Sequence, residues 1–176
     1  MLRKFVEKQK TCEYLKFYSC CPFIFHLYYL IIMLHYFAYG SNMSARRVRH
    51  RLGWAPSRIS ATLKDYLLSF NKQSSDGGKA NIQISPGDEV EGILYFVKEN
   101  DLLTLDGYEG VAEKQYKRHE IEVMDLSGRP MVAIAYIALN TGPESRPTLE
   151  YLNYLLEGEH LLSMEYVCRL EEIATI

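Results

Sequence analysis

Six strand-like segments lie between residues 36 and 139, with only two short helix-like runs among them. They are Tyr36–Tyr39, Ser60–Phe70, Ala80–Ile84, Glu89–Val97, Tyr116–Met124 and Met131–Leu139. Each is rich in apolar and aromatic residues or alternates them with polar ones, the pattern of a strand with one buried face. Strands grouped as neighbours, with few helices between them, predict an α+β domain whose sheet is curled or closed. At 176 residues the chain suits one domain with a real core. Its net charge of −2 does not indicate a general nucleic-acid-binding surface.

Punctuation between the segments is specific. Asn71–Gly78 is polar and reads as an exposed loop, and Ser85-Pro86-Gly87-Asp88 reads as a strong turn separating two strands. Gly92, inside the most hydrophobic later segment, predicts a bulge or a close backbone contact. A short helix carrying Leu102, Leu103 and Leu105 is predicted with Asn100 or Asp101 as its cap. The strands on either side of Ser127–Pro130 pair naturally. Pro147 opens a helix over Thr148–Glu157. A last helix presents Leu161, Met164, Val167, Leu170 and Ile173 as a stripe predicted to face the core.

Residues 1–33 differ from the rest. Lysines and arginines at 3, 4, 8, 10 and 16 precede the uncharged run Cys20–Leu34. A basic segment before an apolar one suggests a signal anchor, which would tether the protein to a membrane through residues 20–34. The run is short for a span unless it borrows the strand that follows. The simpler expectation is an N-terminal extension outside the fold, or a start codon chosen too early, with a domain over residues 34–176. Four cysteines without a Cys-x-x-Cys spacing read as reduced thiols in a cytoplasmic protein.

Chemistry has two candidate locations. The first strand stops on Gly40-Ser41-Asn42, and a helix-like run follows at once, with Ser44 fitting an N-cap and Gly53 a C′ residue. Strand, glycine turn and helix start in that order can aim backbone N–H groups at an anionic or carbonyl ligand; an ordinary strand exit is the competing reading. Arg46, Arg47, Arg49, Arg51 and Arg58 form a basic cluster that reads as a solvated helix face. The second location is Glu109, set between Gly107 and Gly110 and expected to lie among Leu105, Tyr108 and Val111. A partly desolvated carboxylate there would suit a general base, against the plainer reading of a solvated loop glutamate. No histidine pair has metal-ligand spacing, and neither a nucleophile elbow nor a phosphate-binding loop occurs.

Four blocks of this chain resemble, in order and spacing, the γ-glutamylcyclotransferase family. They are Tyr36-Phe37-Ala38-Tyr39-Gly40-Ser41-Asn42, Ser85–Gly92, Leu105–Val111 followed by Tyr116, and Pro147 with Tyr151. The resemblance spans about residues 34–173. It implies a mixed, barrel-like β-sheet with flanking helices, no metal and no organic cofactor, and a small-molecule γ-glutamyl substrate. The implied reaction is cyclisation of a γ-glutamyl amino acid or amide to 5-oxoproline with release of the amine.

By the same resemblance Glu109 is the general base. Residues Tyr36, Phe37, Ala38, Tyr39, Gly40, Ser41 and Asn42, together with Tyr116 and Tyr151, bind the substrate. Asn42 resembles the branch acting on γ-glutamyl amino acids more than the branches acting on glutathione or on γ-glutamyl amines. The alternatives are a cyclotransferase for γ-glutamyl amines or metabolites, and a non-catalytic γ-glutamyl-binding module tethered by its N-terminus.

Overall fold

The computed structural model describes residues 33–176. The readings placed on residues 1–32, namely the extension or anchor and its three cysteines, lie outside the described residues. Among those described, no helix is long and apolar enough to cross a membrane.

Five strands form a closed barrel in the order β1-β3-β2-β4-β5. They are β1 (Leu34–Ala38), β2 (Arg58–Lys72), β3 (Lys79–Val97), β4 (Tyr116–Asp125) and β5 (Pro130–Ala138). Neighbours run antiparallel except where β5 meets β1, Tyr36 pairing with Ile134 in parallel. Four α-helices flank the barrel among the described residues: α1 (Ala45–Leu52), α2 (Glu99–Tyr108), α3 (Leu149–Leu156) and α4 (Met164–Glu171). The α+β class and the mixed, barrel-like sheet are those read from the sequence.

There are five strands, not six. The segment Ser85–Asp88 does not reverse the chain, because β2 is long enough to pair with both halves of β3. The register jumps from Lys64 opposite Glu89 to Tyr66 opposite Ile84, so the four residues bulge out against Asp65. Asp65 holds the bulge by accepting a hydrogen bond from Gly87 N–H at 2.9 Å. The supposed loop at 71–78 also starts later than its polarity suggests: Asn71 and Lys72 are buried at the end of β2.

Gly92 is where a backbone approach is closest. A Cβ there would lie 2.5 Å from Ala38 O and 2.7 Å from the Phe37 ring. Ala38 pairs with Ile93 in the same sheet, so that carbonyl cannot withdraw without breaking the β1–β3 ladder. Gly92→Ala is expected to lower stability by about 1–3 kcal/mol, read as a lower urea midpoint at unchanged slope.

The helices follow their end signals with two corrections. Ser44 caps α1 by accepting from Arg47 N–H at 3.1 Å, and the helix ends on Gly53. The N-cap position of α2 is Lys98; Asp101 sits at N3 and reaches back to accept Lys98 N–H at 2.8 Å. In α4 the buried face is Tyr166, Val167 and Leu170, whereas Met164, which was expected in the core, is 78% exposed. Met164 is the first helical residue after the cap Ser163, before the chain turns onto the barrel.

Candidate active site

Glu109 is the residue on which α2 ends. Val111 N–H bonds Asp106 O at 3.0 Å and Gly110 N–H bonds Gly107 O at 3.4 Å, a six-to-one and five-to-two pair that closes the helix. Gly110, at φ 61°, occupies the left-handed position such an ending requires. Gly107 lies inside the helix with open space around it, so only one of the two flanking glycines serves the turn. The helix is fastened to the barrel just before this point. Asp106 takes a two-pronged ion pair from Arg118, Nε–Oδ1 2.7 Å and Nη2–Oδ2 2.8 Å, and lies 2.8 Å from the Tyr136 hydroxyl.

The surroundings of the Glu109 carboxylate are polar, unlike the apolar setting expected from its sequence neighbours. Leu105 turns into the core and Tyr108 is 51% exposed. Arg51 Nη1 donates to Glu109 Oε1 at 2.8 Å and Asn42 Nδ2 donates to the same oxygen at 3.1 Å. Side-chain exposure is 8% for Arg51 and 15% for Glu109. Asn42 Nδ2 also reaches the Tyr36 hydroxyl at 2.7 Å, so both amide hydrogens have acceptors and the amide orientation is fixed. Oε2 receives no hydrogen bond from the described residues. One oxygen is tethered and the other has no donor among the described residues, in a residue that lines a cleft.

That cleft encloses about 300 Å³ of empty space, mouth included. It is bounded by Tyr36, Tyr39, Gly40, Ser41, Asn42, Glu109, Tyr116 and Tyr151, all singled out in the sequence, and by Ala80 and Tyr136. Phe37 and Ala38 are not in its lining. Both are fully buried, and Phe37 packs against Gly92 and Tyr39. The turn at Gly40 is closely covered: a Cβ there would meet Ala80 Cβ at 3.0 Å and the Tyr151 hydroxyl at 3.2 Å. Tyr151 accepts Ala80 N–H at 3.1 Å, and Tyr116 donates to Ala80 O at 3.1 Å. Tyr39 donates to the Tyr136 carbonyl.

Burial pushes these phenols up. Tyr36 and Tyr39 lie well above the ordinary tyrosine value, with the Glu109 charge adding to the rise in both. Tyr116 and Tyr136 are raised as well, again mainly by burial. Tyr151 is pushed up to about 12, hydrogen bonds from the Ala80 and Ser41 backbone partly offsetting its burial. Near neutral pH every one is a neutral hydroxyl, so none of the phenols is a base there. The sign of the linkage follows. A phenol raised in the folded state contributes stability that is complete below its unfolded value near 10 and is lost as pH rises toward 12. Far-UV CD against pH is therefore expected to show unfolding that sets in above roughly pH 10, together with late phenolate absorbance.

Three contributors escaped the sequence reading. Arg51 was assigned to a solvated face, yet Ser44, Val48 and Arg51 share the inward side of α1 at intervals of four and three. That spacing from a cap and an apolar residue was the available signal. Tyr136 lies in a strand apolar on both faces, which hid its direction. Ala80 contributes backbone, for which sequence carries no sign.

The chain is 33% identical to the γ-glutamylcyclotransferase of Homo sapiens over 146 residues, covering 78% of this chain and 77% of that protein. The chain belongs to the γ-glutamylcyclotransferase family. The γ-glutamylcyclotransferase of Mus musculus is 34% identical over the same share of each chain. A solved γ-glutamyl cyclotransferase structure superposes with a TM-score of 0.75 at 30% identity, covering 82% of this chain and 89% of the other. Residues 89–170 also match the AIG2-like family. The barrel described above is the γ-glutamylcyclotransferase fold, and the protein is an enzyme of that family.

Proposed function

We propose that the cleft binds a γ-glutamyl amino acid or amide with its glutamyl unit folded back, and that Glu109 is the general base for its cyclisation. The observation that carries this reading is the split of the Glu109 carboxylate. Oε1 is anchored by Arg51 and Asn42, while Oε2 has no donor among the described residues, and Glu109 lines the cleft. The substrate's α-amine is a nucleophile only when deprotonated, and its ordinary pKa is roughly 8. Oε2 takes its proton as the nitrogen attacks the γ-carbonyl carbon, forming the five-membered ring. Collapse of the tetrahedral carbon breaks the γ-amide C–N bond, and the proton passes to the leaving amine. Folding the glutamyl unit so that amine and carbonyl meet supplies the positional part of the rate.

The neutral phenols and the turn at Tyr39–Ser41 supply hydrogen bonds to the substrate's oxygens. Asn42 resembles the branch acting on γ-glutamyl amino acids, which makes a γ-glutamyl amino acid the first substrate to try. The unit responsible is the domain over residues 34–176, in a cytoplasmic setting.

The test is 5-oxoproline release from a panel of γ-glutamyl dipeptides and γ-glutamyl amines by the full chain and by Glu109→Gln. Turnover of a dipeptide by the wild type, lost in the variant, is the expected result. Near-full activity in Glu109→Gln would move the base elsewhere. No turnover across the panel would favour a binding module.

A further inference from the structure

We propose that Lys72, with Lys79 beside it, forms a cationic subsite on the tyrosine wall of the cleft that takes the carboxylate of the leaving amino acid. This rests on the cyclotransferase reading above and extends it to the half of the substrate that departs. Lys72 and Lys79 face each other across the last register pair of β2 and β3. Lys79 directly precedes Ala80, the residue whose N–H and carbonyl hold the hydroxyls of Tyr151 and Tyr116. Each lysine lies against one of those rings: Lys72 Nζ is 5.9 Å from the Tyr116 centroid, and Lys79 Nζ is 4.6 Å from that of Tyr151. Two cations therefore lie against two cleft-lining phenols, each one residue or ring away from the lining itself.

Only one of the two charges is balanced by the protein. Lys79 pairs with Asp76 at 2.9 Å, a carboxylate that is itself 65% exposed. Lys72 is 6% exposed, and its Nζ donates to the Gln73 carbonyl at 2.5 Å. No carboxylate among the described residues lies within 4 Å of it. A buried ammonium without a counter-ion is costly. Burial and the nearby Lys79 charge both push the Lys72 pKa down, the direction of a cation lacking an anion. A γ-glutamyl amino acid brings the missing anion: its carboxylate carbon is two bonds from the leaving nitrogen. A γ-glutamyl amine has nothing to offer there.

The experiment compares kcat/KM for γ-glutamyl-alanine and γ-glutamyl-ethylamide, which differ by that carboxylate alone. It uses the full chain as wild type, Lys72→Met, Lys72→Arg and Lys79→Met. The readout is the ratio between the two substrates, which cancels any change in the fraction of folded enzyme. Lys72→Met is expected to lower the ratio by about ten- to hundredfold, the scale of a lost hydrogen bond to a charged group. Lys72→Arg should keep most of the ratio, and Lys79→Met should lower it less than Lys72→Met. A ratio unmoved in Lys72→Met overturns the subsite, as does equal loss on both substrates, which would assign Lys72 to the glutamyl half or to the fold. A wild type that turns over neither substrate sinks the cyclotransferase reading, and this inference with it.

Discussion

Glu109→Gln is expected to lower kcat/KM for a γ-glutamyl dipeptide by roughly 10²- to 10⁴-fold, with little change in fold. The two halves of that expectation have separate causes. Arg51 Nη1 and Asn42 Nδ2 both bond Oε1, so an amide oxygen placed there still accepts from both. The anchoring geometry survives; what is lost is the charge on one partner, worth about 1 kcal/mol in the difference between a charged and a neutral hydrogen bond. The cleft side changes completely. Where Oε2 had an unoccupied lone pair, the variant presents an amide, a group that cannot accept a proton. The neighbouring phenols offer no substitute, because burial holds them protonated. A matched measurement of unfolding midpoint and 5-oxoproline release separates the effects. A large loss of both would mean that Glu109 is needed to fold, and loss of neither would remove it from the chemistry.

What the sequence disclosed about this fold is what neighbouring residues settle among themselves. The aromatic strand ending on Gly40, the Ser44 cap, the Gly53 stop and the close approach at Gly92 are consequences of local backbone preference or of a missing Cβ. The candidate site was legible to the same extent: Tyr36, Tyr39 to Asn42, Glu109, Tyr116 and Tyr151 meet at one cleft. The errors concern what distant chain does. Ser85–Asp88 has every local mark of a reversal, yet a long β2 partner turned it into a bulge. Phe37 and Ala38 belong to the same motif as their neighbours, but Phe37 packs on the glycine of another strand. Lys72 looked like loop polarity and is buried at a strand end. Arg51 looked like surface charge until α2 brought a carboxylate to it. Each of these is decided by register or by a tertiary partner, neither of which is present in a local window of sequence.

Arg51→Ala is expected to be the most damaging change among residues that need not touch the substrate. Its guanidinium is 8% exposed, bonded to Glu109 at 2.8 Å, and stacked 4.7 Å over the Tyr108 ring. Removing it leaves a mostly buried carboxylate held by Asn42 alone. Breaking such a pair costs about 3–5 kcal/mol in well-buried cases, and the cleft that Glu109 lines puts this site at the lower end. Equilibrium unfolding in urea measures that loss. The catalytic loss should be smaller than for Glu109→Gln, about ten- to hundredfold in kcat, because a displaced base still exists. It should fall on kcat with KM changed little, since Arg51 orients the base and does not line the cleft. A double-mutant cycle distinguishes orientation from general support. In the Glu109→Gln background there is no base left to orient, so Arg51→Ala should cost almost nothing further in rate. If the two losses multiply instead, Arg51 acts through something other than Glu109. Arg51→Lys completes the comparison: an ammonium keeps the charge but neither the planar stacking on Tyr108 nor the fixed direction of the donor, so intermediate stability with incomplete recovery of kcat is the expected outcome.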